Sequence, residues 1–438
     1  MENLNLDHLW LPFTPNSMFK NLPRPRIIDR AKGMYYFTIY NDKILDAHGG
    51  LWCCNAGHNR DEIVTAIQEQ AAKLDFVPSY QMSHPGAFKL AEKISAISPK
   101  NLNRVFFTNS GSEAVETCLK IALNYFKLQG KQNKKIIIGR ERGFHGAGFG
   151  GSTVGNLFAN MIAKSPISDV YHLPHTHNLE HNSYSKGQPK WGAHLADDLL
   201  QKIEKHGASN IAAVIVEPVS GTGGVLVPPE GYLEKLRQIC TDNDILLIFD
   251  EVITGFGRLG KPFASHYFNI IPDLVALAKG LTSGTVPMGA AVVHQKIYDT
   301  ITSENKGIDL YHGYTYSAHP LACAAALAAI NLYEKENLLN TSPDLIKHFE
   351  DGLHSLRGSR HVIDIRNIGL LGAIELSPIP KQPYARASNV FRKMWHEQNC
   401  YVRLTGGEIL TLAPPLIINK VEIDKIIDSF NKVLKEID

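Results

Sequence analysis

The sequence predicts an α/β fold: a mainly parallel sheet flanked by helices, with a small α+β domain drawn from the two chain ends. Three observations carry this. Short apolar runs such as 211–216 (IAAVIV) and 245–249 (ILLIF) read as strands buried on both faces. Between such runs lie stretches with helical spacing, for example Val115, Leu119, Ala122 and Phe126. This alternation predicts one sheet covered on both sides. After Ala322 the pattern changes to helices grouped against a few strands, which suits a small α+β unit.

Taken in order, the first residues hold Pro12, Pro15, Pro23 and Pro25 with little periodicity, so they predict an extended arm. Residues 34–46 (MYYFTIYNDKILD) predict a hairpin turning at Asn41 and Asp42. Helices follow at 61–74, 113–126 and 231–241, with strands at 105–107, 136–138, 211–216 and 245–249. Beyond residue 320 come helices at 321–330, 342–356, 387–398 and 420–437, and strands at 361–364, 369–376, 401–403 and 409–412. The expected units are 1–58 (arm and part of the small domain), 59–321 (large domain) and 322–438 (small domain), with a cleft between the two parts.

Composition excludes several classes. Of 438 residues, 44% are hydrophobic and 20% charged, which fits an ordinary globular core rather than a disordered chain. A net charge of +2 without a basic block argues against a nucleic-acid partner. The apolar run LACAAALAAI (321–330) is too short to span a bilayer, so no membrane partner is expected. The opening MENLNLDHLW has no basic region before an apolar core, unlike a signal peptide. The six cysteines form no CxxC pair, and neighbouring Cys53 and Cys54 are ill-placed for a bridge; a reduced, cytoplasmic protein is expected. His172, His175 and His177 (HLPHTH) invite a zinc reading, but Pro174 and a missing fourth ligand argue for no metal.

The chemistry-bearing residues cluster at predicted strand ends. The run 245–249 closes on Asp250, at the edge where open α/β sheets bind ligands. Lys279 follows among small residues, with Gly280 and Gly284 allowing close backbone approach. A lysine and an acid in one site suit pyridoxal phosphate (PLP) chemistry: the amine forms a Schiff base and the acid keeps the ring nitrogen protonated. Ser110 and Glu113 fit a capping box at a helix amino terminus, which reads either as an ordinary cap or as a phosphate cup. Phe144, between Gly143 and Gly146, reads as core packing or as a ring lying on a planar cofactor. Glu217 again closes an apolar strand with a carboxylate.

The segments TNSGSEAVET (108–117), GFHG (143–146), VEPV (216–219), IFDEVITGFGR (248–258), AKGLTSG (278–284) and HGYTYSAHP (312–320) together resemble the class III PLP-dependent aminotransferases. GLWCCNAGH (50–58), GRERGFHG (139–146) and VIDIRNIGL (362–370) are similar to the branch acting on ω-amino acids, such as β-alanine, and pyruvate. The resemblance implies the PLP-dependent transferase fold type I and covers essentially the whole chain.

It also implies roles. Lys279 would be the Schiff-base lysine and proton carrier, and Asp250 the partner of the pyridinium nitrogen. Gly111 and Ser112 would hold the phosphate, with Thr315 reaching it from a second subunit, so that a homodimer is the minimal unit and a tetramer is open. Phe144 and Val252 would sandwich the ring, and Glu217 would join the polar network beside it. Arg403 would clamp a substrate carboxylate, with Trp52 and Phe13 lining the amine pocket.

Departures bear on specificity. Thr222 stands where related branches carry a glutamate that pairs with the arginine, and Ile253 where they carry glutamine. This leaves Arg403 open to a monocarboxylate and favours pyruvate over 2-oxoglutarate. Phe144 replaces a frequent tyrosine, Ala318 a glycine, and Gly406-Gly407-Glu408 a shorter turn. The expected reaction is ping-pong transfer of an amino group from an ω-amino acid or amine to pyruvate. The alternatives are a relative using taurine, a diamine or 4-aminobutyrate, or an aminomutase.

Overall fold

A seven-stranded sheet organises the molecule. Its strands are β1 (Leu102–Thr108), β2 (Ile136–Arg140), β3 (Val170–Leu173), β4 (Ile211–Val216), β5 (Leu246–Asp250), β6 (Leu274–Leu277) and β7 (Gly289–His294). Their spatial order is β1-β7-β6-β5-β4-β2-β3. β3, β2, β4, β5 and β6 are mutually parallel, and β7 runs antiparallel to both β6 and β1. The mainly parallel expectation therefore holds, with one reversed strand inserted near an edge. The structure is a computed structural model that describes residues 4–157, 168–303 and 307–437.

The strands are Val-, Ile- and Leu-rich because both faces are covered. Val214, Ile215, Val216, Leu247, Ile248 and Phe249 are all fully buried. One face packs on the helix Gly111–Leu128, whose buried positions include Val115, Cys118, Leu119, Ala122 and Phe126. Trimming a core side chain such as Phe249 to Ala would cost about 3–5 kcal/mol.

Two four-stranded sheets complete the fold. The first joins Ile28–Lys32, Tyr35–Thr38 and Lys43–Asp46 to Cys400–Tyr401, which pairs in parallel with Lys43–Asp46. The second is ordered Val362–Ile368, Leu371–Leu376, Ile409–Leu412, Arg403–Thr405. The two chain ends are thus stitched together through backbone hydrogen bonds. The last helix, Lys420–Glu436, starts at a full capping box of Asn419 and Glu422.

Several elements differ from the sequence reading. The single strand expected at 401–403 is split: Tyr401 ends one sheet, Val402 is buried at the bend, and Arg403 begins pairing in another. β3, β6 and β7 and the helix Pro85–Ile97 were not anticipated. β6 is only four residues long, and β7 opens with Gly289, Ala290 and Ala291, so neither carries a strong strand pattern. The proline-rich arm contains the short helix Asn16–Lys20 and ends in a paired strand from Ile28. No helix among the described residues is long and apolar enough to cross a membrane.

Candidate active site

Strand polarity brings the candidate residues to one edge. β2, β4, β5 and β6 are parallel, and β1 has the same direction because β7 lies antiparallel between it and β6. Their carboxyl ends therefore deliver Ser110 and Gly111, the loop 141–148, Glu217, Asp250 and Lys279 to the same rim.

At that rim Asp250 is buried, 5% exposed. Its Oδ2 lies 2.8 Å from His145 Nδ1, and its Oδ1 accepts the Val252 N–H at 3.1 Å. The second acid of the pair, Glu251, turns to the opposite side. Its carboxylate accepts from the backbone of Ala264 and Ser265 and from Thr254. Successive strand residues face opposite ways, so only Asp250 is offered to the site.

Glu217 is also buried, and one of its oxygens accepts from Phe144 N (3.0 Å) and Ser220 Oγ (3.1 Å), the other from Gly221 N (2.9 Å). Burial pushes its pKa up, the charge of Asp250 adds to this, and His145 opposes it. Glu217 thereby ties the Phe144 loop to the loop containing Thr222. On the other side of that loop, Ala147 N donates to Ser112 Oγ at 3.1 Å.

The helix amino terminus forms as expected, with one change of partner. Ser110 Oγ accepts from Glu113 N (3.2 Å), but the Glu113 carboxylate reaches Asn109 N rather than Ser110 N. The first amides of this helix have no partner within it, which makes them anion donors. A Cβ on Gly111 would meet both methyls of Val252 at 3.0 Å and Ala278 Cβ at 3.4 Å. Gly111, Val252 and the residue before Lys279 are therefore in contact.

Lys279 is held in a left-handed conformation, φ +44°, which is strained for a side-chain-bearing residue. The turn after it, Lys279–Thr282, is clamped from several directions. Tyr333 Oη donates to Gly280 O (2.5 Å) and Ala56 N to Ser283 Oγ (2.9 Å). A Cβ at Gly280 would lie 2.7 Å from Asn55 Nδ2, and Asn55 is itself bonded to Phe256 O and Arg258. Burial pushes the Lys279 amine below its usual range; Asp250, Cys53 and Glu217 pull it up and Arg403 pushes it down.

Arg403 starts its strand opposite Thr411, whose hydroxyl donates to Arg403 O at 3.3 Å. Among the described residues no carboxylate lies within ion-pair distance of its guanidinium. The two departures from related sequences meet nearby: a Cβ at Gly406 would lie 3.1 Å from Gly223 O and 3.4 Å from Thr222 O. Glu408 turns away, accepting from Ala387 N at 2.7 Å in the first turn of the helix Ala385–His396.

The remaining candidates are less tightly gathered. Trp52 is 2% exposed, with its ring 4.2 Å from the buried His48 ring, so little of its surface faces any pocket. Phe13 lies on the arm, 71% exposed, and Thr315 is exposed on the surface. His172, His175 and His177 do not gather: His177 joins Asp364 and Glu375, but Arg366 bonds to both acids and is the cation there. Sequence reasoning missed His145 as the partner of Asp250, although it adjoins Phe144. It also missed Asn55, Arg258 and Tyr333, which lack any local pattern.

A doubly covered sheet with a half-buried lysine, a buried aspartate and a helix amino terminus at one rim is the arrangement of a PLP enzyme of fold type I. The residues fit that cofactor, since a side chain at Gly111 would crowd Val252, Asp250 is buried and Lys279 is half-buried on the same rim. The chain belongs to the class III aminotransferases and is PLP-dependent: the family description "Aminotransferase class-III" matches residues 18–434. It is 52% identical over 436 residues to an omega-aminotransferase of Caulobacter vibrioides, covering 99% of this chain and 98% of that one. It is 46% identical to a beta-alanine–pyruvate aminotransferase of Pseudomonas aeruginosa, covering 99% and 97%. The omega transaminase of Pseudomonas jessenii in complex with PMP has a similar structure, with TM-score 0.92, 31% identity and 98% and 96% coverage.

Proposed function

We propose that this chain transfers the amino group of an ω-amino acid or amine, such as β-alanine, to pyruvate in two half-reactions. The observation that carries the reading is the placing of Glu217, Asp250 and Lys279 at the carboxyl ends of neighbouring parallel strands, together with an Arg403 that has no carboxylate partner among the described residues.

Bound PLP supplies an electron sink for the carbon that loses its proton. Lys279 would hold the cofactor and carry the proton of the substrate carbon, and burial favours its neutral, basic form. Asp250, whose orientation His145 fixes, would serve the ring nitrogen. The amides of Gly111 and Ser112 would hold the phosphate at the helix amino terminus. Phe144 and Val252 would bound the ring, and Glu217 fixes the Phe144 loop. Arg403 binds the pyruvate carboxylate with its planar fork. Trp52 and Phe13 bound the amine side.

Thr315 and Phe13 are exposed on this chain, which supports a homodimer in which each protomer completes the other's site. Free thiols at all six cysteines support a reducing, cytoplasmic setting. The test is a half-reaction screen: β-alanine should bleach the yellow holoenzyme, and pyruvate should restore the colour faster than 2-oxoglutarate. Faster recovery with 2-oxoglutarate would overturn the choice of acceptor.

A further inference from the structure

Two arginines with no part in the reaction proposed above grip the loop that runs from Ser220 to Gly224. Arg142, half-buried in the loop that carries Phe144, donates from Nη2 to Gly223 O at 2.8 Å. Its own carbonyl accepts from Ser220 Oγ at 3.1 Å. A Cβ on Gly223 would lie 2.5 Å from Arg142 O, so the two backbones touch. Arg142 has φ +59°, a left-handed conformation that persists only where surrounding contacts hold it. The arginine ion pairs among the described residues do not include it, so its charge is spent on a main-chain carbonyl.

Arg366, from the strand Val362–Ile368, takes the next carbonyl. Its Nε donates to Gly224 O at 2.8 Å, while its Nη1 binds Asp364 and Glu375. The far side of the same loop meets the turn after Arg403. A Cβ at Gly406 would lie 3.1 Å from Gly223 O, the very oxygen that Arg142 binds.

We propose that Arg142 is a positioning residue for the amino acceptor. By holding Gly223 O it fixes the separation between the 220–224 loop and the Gly406 turn, and so sets where Arg403 meets a short monocarboxylate. The inference rests on Arg403 as the carboxylate clamp. Only the strand Arg403–Thr405 separates the clamp from that turn, so a shift of the turn is passed to it directly. Arg366 is the poorer lever, because removing it would leave Asp364 and Glu375 without their buried cation.

The test compares parent and Arg142→Met in separate half-reactions of the PLP-loaded enzyme. The pyruvate concentration for half-maximal rate should rise about tenfold while the limiting rate changes less than about twofold, as expected when a clamp is displaced but the chemistry is intact. The half-reaction of propylamine, which carries no carboxylate, should keep the parental rate. Arg142→Lys retains a charged donor and should lie nearer the parent. Gly223→Ala reaches the same contact from the other side and guards against a misfolded Arg142 variant. Its φ is not in the left-handed region, so alanine suits the backbone, but its Cβ would press on Arg142 O and raise the pyruvate requirement likewise. Hydrogen exchange of the 220–226 amides, which needs no substrate, should quicken in Arg142→Met and Gly223→Ala.

Equal losses in both half-reactions, or an unchanged pyruvate requirement in Arg142→Met and Gly223→Ala, would overturn the proposal. Arg403→Gln separates the two levels. If it leaves the pyruvate requirement unchanged, the clamp reading falls and the positioning role with it. If it raises that requirement and the Arg142 and Gly223 variants do not, the positioning role alone falls.

Discussion

The cofactor side and the substrate side of the rim are built differently. Around Asp250 every neighbour is locked by another: His145 to Asp250, Phe144 N to Glu217, Ala147 N to Ser112, and the Lys279 turn to Tyr333 and Ala56. The substrate candidates sit on seams and edges instead. Arg403 lies just past the bend between two sheets and Phe13 on the arm, 71% exposed, while Trp52 is the one buried member. A rigid cofactor cradle fixes the chemistry, while a peripheral substrate side leaves specificity to loops.

The comparison can be broken at four points. The largest effect is expected from Asp250→Asn. Its loss should slow the amine half-reaction by about 10²–10³-fold, since a charge aimed at the reacting group is removed. Stopped-flow absorbance checks this, and a change below tenfold would place the electrostatic control elsewhere.

Arg403→Gln should be more selective. Losing a charge-assisted bidentate contact of about 1.5–3 kcal/mol should raise KM for pyruvate by roughly 10–100-fold. The half-reaction of an amine without a carboxylate should stay near the parental rate. Equal losses with both substrates would show that Arg403 supports the fold rather than the carboxylate.

Thr315→Ala should weaken PLP affinity only about 2–10-fold, the worth of one hydrogen bond. Cofactor titration at several protein concentrations would also reveal whether that contact requires a second subunit. The smallest effect concerns pH. Burial lowers the Lys279 pKa, so the apoenzyme amine loses its proton at lower pH than free lysine. The rate of PLP capture should rise with pH and level off below the midpoint of a free lysine. By the same linkage, Lys279 contributes stability that increases with pH between its folded value and the unfolded one, because the unfolded chain binds the proton more tightly there. A capture midpoint at or above that of free lysine would contradict the enclosure of this amine.

The sequence made the cofactor side legible because strand ends carry their own pattern: five apolar residues closed by Asp250, and another run closed by Glu217. Among the described residues, the helices of more than ten residues were located apart from Pro85–Ile97, since amphipathic spacing is local information, whereas the shorter ones were missed. The pairings were harder. β6 and β7 lack β-branched alternation, and the division of 401–403 between two sheets depends on partners hundreds of residues away. The His145–Asp250 bond and the Arg258–Asn55 link join residues distant in sequence. The meeting of Thr222 with the Gly406 turn was likewise invisible, although each had been noticed alone. Long-range contacts of this kind are set by topology rather than by local pattern.

The most direct test of the central claim is to trap the cofactor on the protein. Borohydride reduction of the yellow holoenzyme, followed by peptide mass mapping, should find the pyridoxyl group on Lys279 and on no other lysine. A pyridoxyl group on a different lysine, or an enzyme that turns over fully after Lys279→Ala, would contradict the account.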